Sequence, residues 1–232
     1  MHPDLVRLIA ANRYDGELLD LKKQKRKLDE ALEAARTGAE AASATLAELT
    51  AEQEANRTRQ RELQRSIETY EARRKSANRV LESGGGDPEA AERQIQGCTE
   101  QLDLLETDLL ETMERADTLV EALATAKASV ATTSDTLAGL EAAHGPAVDA
   151  LRARFDATVP LRDAELDALD VQTRGKYIVL RDRKGFAVAS IEKGACHACR
   201  MVIQQQHLAD LKRGLILPCR GCGRWLAPDE AG

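Results

Sequence analysis

One Trp, three Tyr and two Phe are all the aromatic residues in this 232-residue chain. That shortage excludes a large globular core built on aromatic packing. No run of about 18 apolar residues exists to span a membrane. The start, Met1-His2-Pro3-Asp4, is short and polar and does not read as a signal peptide. We therefore expect a cytoplasmic, reduced protein with no membrane partner. Also missing are a glycine-rich phosphate loop, an open metal position and a histidine paired with a nucleophile, so an enzyme is not expected.

What the chain does have is charge, at 31% of residues, and a 3-4 apolar spacing kept over long distances. From Leu18 the pattern runs through Leu21, Lys25, Leu28, Leu32, Ala35, Ala39, Ala42, Leu46, Leu49, Gln53, Asn56, Gln60, Leu63, Ile67, Tyr70, Arg74 and Ala77 to Leu81. It resumes at Ile95 and Cys98 and continues to Leu137 and Leu140. Between the two runs lies Ser83-Gly84-Gly85-Gly86-Asp87-Pro88, where Gly84 stops one helix and Asp87 with Pro88 starts the next. The fold class expected is mainly α: a long antiparallel coiled-coil hairpin, then a small C-terminal β domain that Cys196, Cys199, Cys219 and Cys222 mark as a zinc ribbon. With about 75 helical residues per arm, such a hairpin would reach on the order of 110 Å.

A hairpin folded at Gly85 pairs residues whose numbers sum to about 170. Three features agree with that register. The alanine-rich stretch from Ala31 to Ala51 meets Ala122 to Ala131. Gln53, Asn56 and Gln60 fall opposite Thr112. Lys25 falls opposite Gly145-Pro146, where the second helix should break. Arg57, Arg59, Arg61 and Arg65 lie opposite Glu106, Asp108, Glu111 and Glu114. The competing arrangement, two helices each paired with another copy of the chain, does not predict this agreement. A monomer or a dimer of preformed hairpins is expected.

By this reading residues 1–159 form the hairpin, with its turn near 83–88 and a break near 145–146, and 160–184 form a helical connection. Residues 185–232 form the ribbon. Residues 165–183 are ambiguous, because Tyr177-Ile178-Val179-Leu180 has strand propensity inside charged flanks that favour a helix. Phe186 to Ile191 reads as the first ribbon strand, Leu215-Ile216-Leu217 and Trp225-Leu226 as others, and Gln204 to Lys212 as a helical turn.

The ribbon assignment rests on Cys196, Cys199, Cys219 and Cys222, a C-x2-C-x19-C-x2-C array. That is the spacing of a four-thiolate zinc site, with one structural Zn2+ per chain and no open position for catalysis. A mononuclear iron site uses the same four thiolates, and oxidised thiols are the remaining reading. His197 and His207 read as spacer or surface residues, and Cys98, at a helix seam position, as a buried free thiol.

Residues 172–232 hold 11 cationic against 5 acidic side chains, whereas residues 1–171 hold 22 against 34. Lys184, Arg200, Lys212, Arg213, Arg220 and Arg224, with Trp225 as a stacking residue, form a candidate phosphate-binding face for RNA or DNA. The same cations could equally offset the anionic metal centre and dock on the acidic hairpin, or meet a protein partner.

The chain resembles a bacterial family with a long coiled-coil hairpin and a C-terminal four-cysteine zinc ribbon, commonly described as nucleic-acid-binding. The likeness is carried by Asp87-Pro88-Glu89, by Leu104 through Glu114, by Gly185-Phe186-Ala187-Val188, and by Cys219-Arg220-Gly221-Cys222-Gly223-Arg224. Where that family ends in Leu-Tyr after the Cys-Gly-Arg element, this chain has Trp225-Leu226-Ala227. The resemblance implies a non-enzymatic adaptor or chaperone, whose partners would be a sigma factor or a secretion or flagellar component. It implies metal ligation by the four cysteines.

Overall fold

The structure is a computed structural model that describes residues 2–228. Helix α1 spans Pro3–Ser83 and helix α2 spans Pro88–Asp167. A shorter α3 (Val171–Lys184) leads into strand β1 (Val188–Glu192) and strand β2 (Ala195–Cys196), and α4 (Gln205–Lys212) precedes strand β3 (Trp225–Ala227). The chain divides into two compact units, Leu32–Leu140 and the combination of Met1–Ala31 with Glu141–Gly232.

In the unit Leu32–Leu140 the 3-4 seam is the packed surface. Every seam position from Leu32 to Leu81, and from Ile95 to Leu140, is buried or half-buried, with charged neighbours turned outward. This is the behaviour of a narrow apolar stripe closing against a matching stripe. The register is the expected one: Arg59 contacts Asp108 at 3.2 Å and Arg115 contacts Glu52 at 2.6 Å, both pairs summing to 167. Gln60 Nε2 donates to the Thr112 carbonyl at 3.0 Å and to Asn56 Oδ1 at 3.2 Å, so the polar seam residues satisfy one another. Of the four arginines expected to face acidic partners, Arg59 does so, while Arg57 pairs along its own helix with Glu54. At the turn, Gly84 and Gly86 have φ of +66° and +110°, and Asp87 Oδ1 caps α2 through the N–H groups of Glu89 and Ala90.

The other unit corrects the expected break. Helix α2 continues through Pro146 and Pro160. Each proline removes a helix hydrogen bond, at about 3 kcal/mol, but Gly145 has no Cβ to clash with the Pro146 ring. Contacts with α1 then hold the helix: His144 Nε2 lies 2.9 Å from Asp29 Oδ1, Arg154 donates to Glu17 at 3.3 Å, and Val148 and Leu151 share an apolar groove with Leu21. Asp29 itself is held below its usual carboxylate range by hydrogen bonds from Lys25 and then from His144. In the ambiguous stretch Tyr177-Ile178-Val179-Leu180 is helical, within α3, and only residues 168–170 break the helix. Asp170 caps α3 by accepting from Gln172 and Thr173, and Gly185 ends it in the left-handed conformation.

The sheet has the order β2-β1-β3. Strand β1 starts at Val188, two residues later than expected, and pairs in parallel with β3 (Val188 with Trp225) and antiparallel with β2 (Ile191 with Cys196). Between β1 and β2, Lys193 and Gly194 both have positive φ, as a two-residue hairpin turn requires. Leu215-Ile216-Leu217 is not a strand. The stretch itself accepts only one bond, from the Leu226 N–H to the Leu217 carbonyl, and the next residue, Pro218, makes a single bridge with Trp225.

Two apolar clusters organise this unit. One is internal to the ribbon and includes Ile191, Ile203, Leu211, Leu226, Cys196, Cys219 and Cys222. The other joins Leu8 and Ala11 of α1 to Leu166, Leu169, Tyr177, Leu180, Val188 and Trp225. The beginning of α1 is therefore part of the platform that carries the ribbon.

Candidate metal centre

The two cysteine pairs sit in two copies of one turn. In the first, the N–H of Cys196 bonds the Met201 carbonyl at 2.9 Å and the N–H of Arg200 bonds the Cys196 carbonyl at 2.8 Å. In the second, Cys219 bonds the Arg224 carbonyl at 2.7 Å and Gly223 bonds the Cys219 carbonyl at 2.8 Å. The residue after each second cysteine, Arg200 or Gly223, is left-handed, with φ of +62° or +75°. This geometry is ordinary for glycine and costs about 1 to 2 kcal/mol at Arg200. Each turn points two sulfurs to the same side.

All four sulfurs lie within 4.8 Å of one another, with Cys196 to Cys222 at 3.8 Å and Cys199 to Cys219 at 3.6 Å. A tetrahedron of thiolates at about 2.3 Å from one ion has an edge of about 3.8 Å. The cysteines are free, and these separations are far beyond a disulfide's S–S length of about 2.05 Å. The four side chains could hold a metal ion, and all four positions of a tetrahedral site would then be protein. Burial pushes the Cys196 thiol up to about 12. At Cys222 burial is outweighed by the backbone N–H and side chain of Arg224, with Cys199 and Cys219 adding to their effect, and the thiol comes down to about 7. Binding a metal ion would need all four as thiolates and would release their protons.

His197 turns away to Glu192, at 2.8 Å, and His207 is not among the grouped ligands. Cys98 is buried on α2, as its seam position implied.

The seven cationic and aromatic residues proposed for a binding face are divided among different tasks. Lys184 donates to the Cys222 carbonyl. Arg224 donates to the carbonyls of Phe186 and Lys184, each at 3.0 Å, and stacks on the Phe186 ring at 4.1 Å. These two residues fasten the second knuckle to the end of α3. Trp225 is 8% exposed, belongs to the cluster with Tyr177 and Leu180, and has Lys176 over its ring at 4.0 Å. A base cannot stack there, so its stacking role is withdrawn. Arg200, Lys212, Arg213 and Arg220 are exposed; Arg220 bonds Gln204 at 3.2 Å and Arg213 pairs with Asp210 at 3.6 Å.

Sequence reasoning missed the polar ties that seat the ribbon. Asn12 Oδ1 accepts from the N–H groups of Ala187 and Val188, at 3.0 and 3.1 Å, at the start of β1. Asp15 is nearly buried and accepts from the Tyr177 hydroxyl at 2.7 Å, with Arg162 at 3.4 Å and Arg181 at 4.0 Å. A signal was present, because Leu8, Ala11, Asp15 and Leu18 continue the 3-4 spacing backwards and place a carboxylate on the seam.

In fold the chain is similar to the HP0958 protein of Helicobacter pylori, with a TM-score of 0.68, 17% identity and 98% of each chain covered. It is similar also to CT398 of Chlamydia trachomatis, with a TM-score of 0.74, 16% identity and coverage of 97% of this chain and 98% of that one. A protein of Mycobacterium smegmatis aligns at a TM-score of 0.54 with 22% identity over 96% of this chain and 97% of its own. No family model and no curated protein matches the chain. The likeness is one of fold alone.

Proposed function

We propose that the protein is a non-enzymatic adaptor whose ribbon is locked by one structural zinc and presents its exposed surface to a protein partner. The observation that carries this reading is the closed set of four sulfurs, whose spacing fits tetrahedral zinc and leaves no position for substrate or water. A chain made mostly of paired helices offers length and surface rather than a cleft, which suits holding partners. The resemblance in the sequence points to a sigma factor or a secretion or flagellar component as the partner class.

The nucleic-acid reading loses its aromatic platform, since Trp225 is buried, and loses Lys184 and Arg224 to backbone carbonyls. It keeps Arg200, Lys212, Arg213 and Arg220, which are exposed. Four thiolates on a zinc ion carry a formal −2, so the region 172–232, at +6 from its side chains, remains cationic when loaded. A pull-down from native cytosol with and without nuclease separates the readings. A nuclease-resistant protein complex that is lost on Arg200→Glu/Arg220→Glu supports the adaptor. Recovery of RNA or DNA alone, with log affinity falling linearly in log salt, overturns it.

A further inference from the structure

The unit Leu32–Leu140 has a self-complementary edge. Its cross-helix ion pairs Arg59–Asp108 and Arg115–Glu52 lie on one side of the seam, as helical spacing of 100° per residue requires. On the opposite side α1 carries Arg57, paired with Glu54 of its own helix at 3.1 Å, and Arg61, while α2 carries Glu106, Leu110, Met113 and Asp117. All six are exposed, Leu110 at 62% and Met113 at 50%. Two arginines therefore stand beside an acidic stripe with apolar residues set into it, both on the same edge.

We propose that this edge is the contact surface between two copies of the chain, related by a two-fold axis running along the hairpin. Rotation about that axis lays α1 of one copy against α2 of the other, twice, and the four helices form an antiparallel bundle in this unit. The internal register places residues whose numbers sum to about 170 at one level. Arg57 then stands at the level of the partner's Met113, and Arg61 at the level of the partner's Leu110. Their aliphatic stems cover these apolar side chains, and their guanidinium groups reach the partner's Glu106 and Asp117, one turn to either side. A partner carrying a single sign of charge would match only the arginines or only the acidic stripe, whereas a second copy matches both. This proposal is independent of the adaptor reading.

Sedimentation equilibrium of the full-length protein tests it, at about 50 μM and near-physiological salt. The wild type is expected at about twice the chain mass of 25.3 kDa. Arg57→Glu/Arg61→Glu should be monomeric, because acidic stripes then face each other, and Glu106→Arg/Asp117→Arg should be monomeric for the converse reason. Mixing the two variants should restore a dimer, since each supplies the charge the other lost. Leu110→Gln/Met113→Gln should weaken association by about tenfold or more at unchanged helicity. A monomeric wild type overturns the proposal, as do charge variants that dimerise like the wild type or a mixture that stays monomeric. If the charge variants lose helicity, the Leu110→Gln/Met113→Gln variant decides alone, and undiminished dimerisation in it refutes the surface.

Discussion

Tyr177→Phe isolates the polar tie between α1 and α3. The ring is fully buried, so the substitution keeps its packing, and only the hydroxyl that donates to Asp15 at 2.7 Å is lost. A hydrogen bond to a charged acceptor is worth about 1.5 to 3 kcal/mol. Arg162 and Arg181 still face Asp15, so the carboxylate keeps a counter-charge and the loss should stay near the middle of that range, about 2 kcal/mol. Trp225 is the only tryptophan and sits in the same cluster as Tyr177, so urea denaturation followed by its fluorescence reads this region directly. A loss below about 0.5 kcal/mol would refute the assignment of Asp15 as a seat for the ribbon. The pH dependence gives an independent check. Burial, reinforced by the bond to Asp15, raises the Tyr177 phenol well above its usual value near 10. The folded state therefore keeps a proton that the unfolded state releases above pH 10, and stability falls with rising pH from there, by about 1.4 kcal/mol per unit. That component should be absent from Tyr177→Phe.

Two further outcomes follow from the packing and the site. Cysteines placed at Ala39 and Val130, half-buried seam positions whose numbers sum to 169, should form a disulfide within one chain under mild oxidation, seen as a mobility shift on non-reducing gels. Products linked only between chains would refute the intrachain register. Cys199→Ser should unfold the ribbon, with red-shifted Trp225 emission, and leave the far-ultraviolet helix signal nearly intact, since the long seams do not depend on a metal.

The long helices were legible because their information is local: a 3-4 spacing with Gly84 to Pro88 between its two runs fixes the arms and the register together. The four cysteines were legible because two C-x2-C turns leave few alternatives for their sulfurs. What escaped depended on residues distant in sequence. Pro146 and Pro160 signal a break locally, and only contacts such as His144 with Asp29 show why α2 continues. Trp225 looked like a surface platform beside cations. Its burial follows from Tyr177, Leu180 and the start of α1, which lie some 45 to more than 200 positions away in the sequence. Leu215-Ile216-Leu217 has strand propensity, but beside the free edge of β3 it makes only the Leu226-to-Leu217 bond, and the next residue, Pro218, supplies a single bridge and no N–H to extend a ladder.

Metal analysis of protein purified without added metal tests whether the four sulfurs hold one structural zinc. One zinc per chain is expected, retained through gel filtration, with the thiols of Cys196, Cys199, Cys219 and Cys222 protected from alkylation until a chelator or denaturant is added. Protein that folds with its ribbon intact yet contains no zinc, with these four thiols freely alkylated, would contradict it.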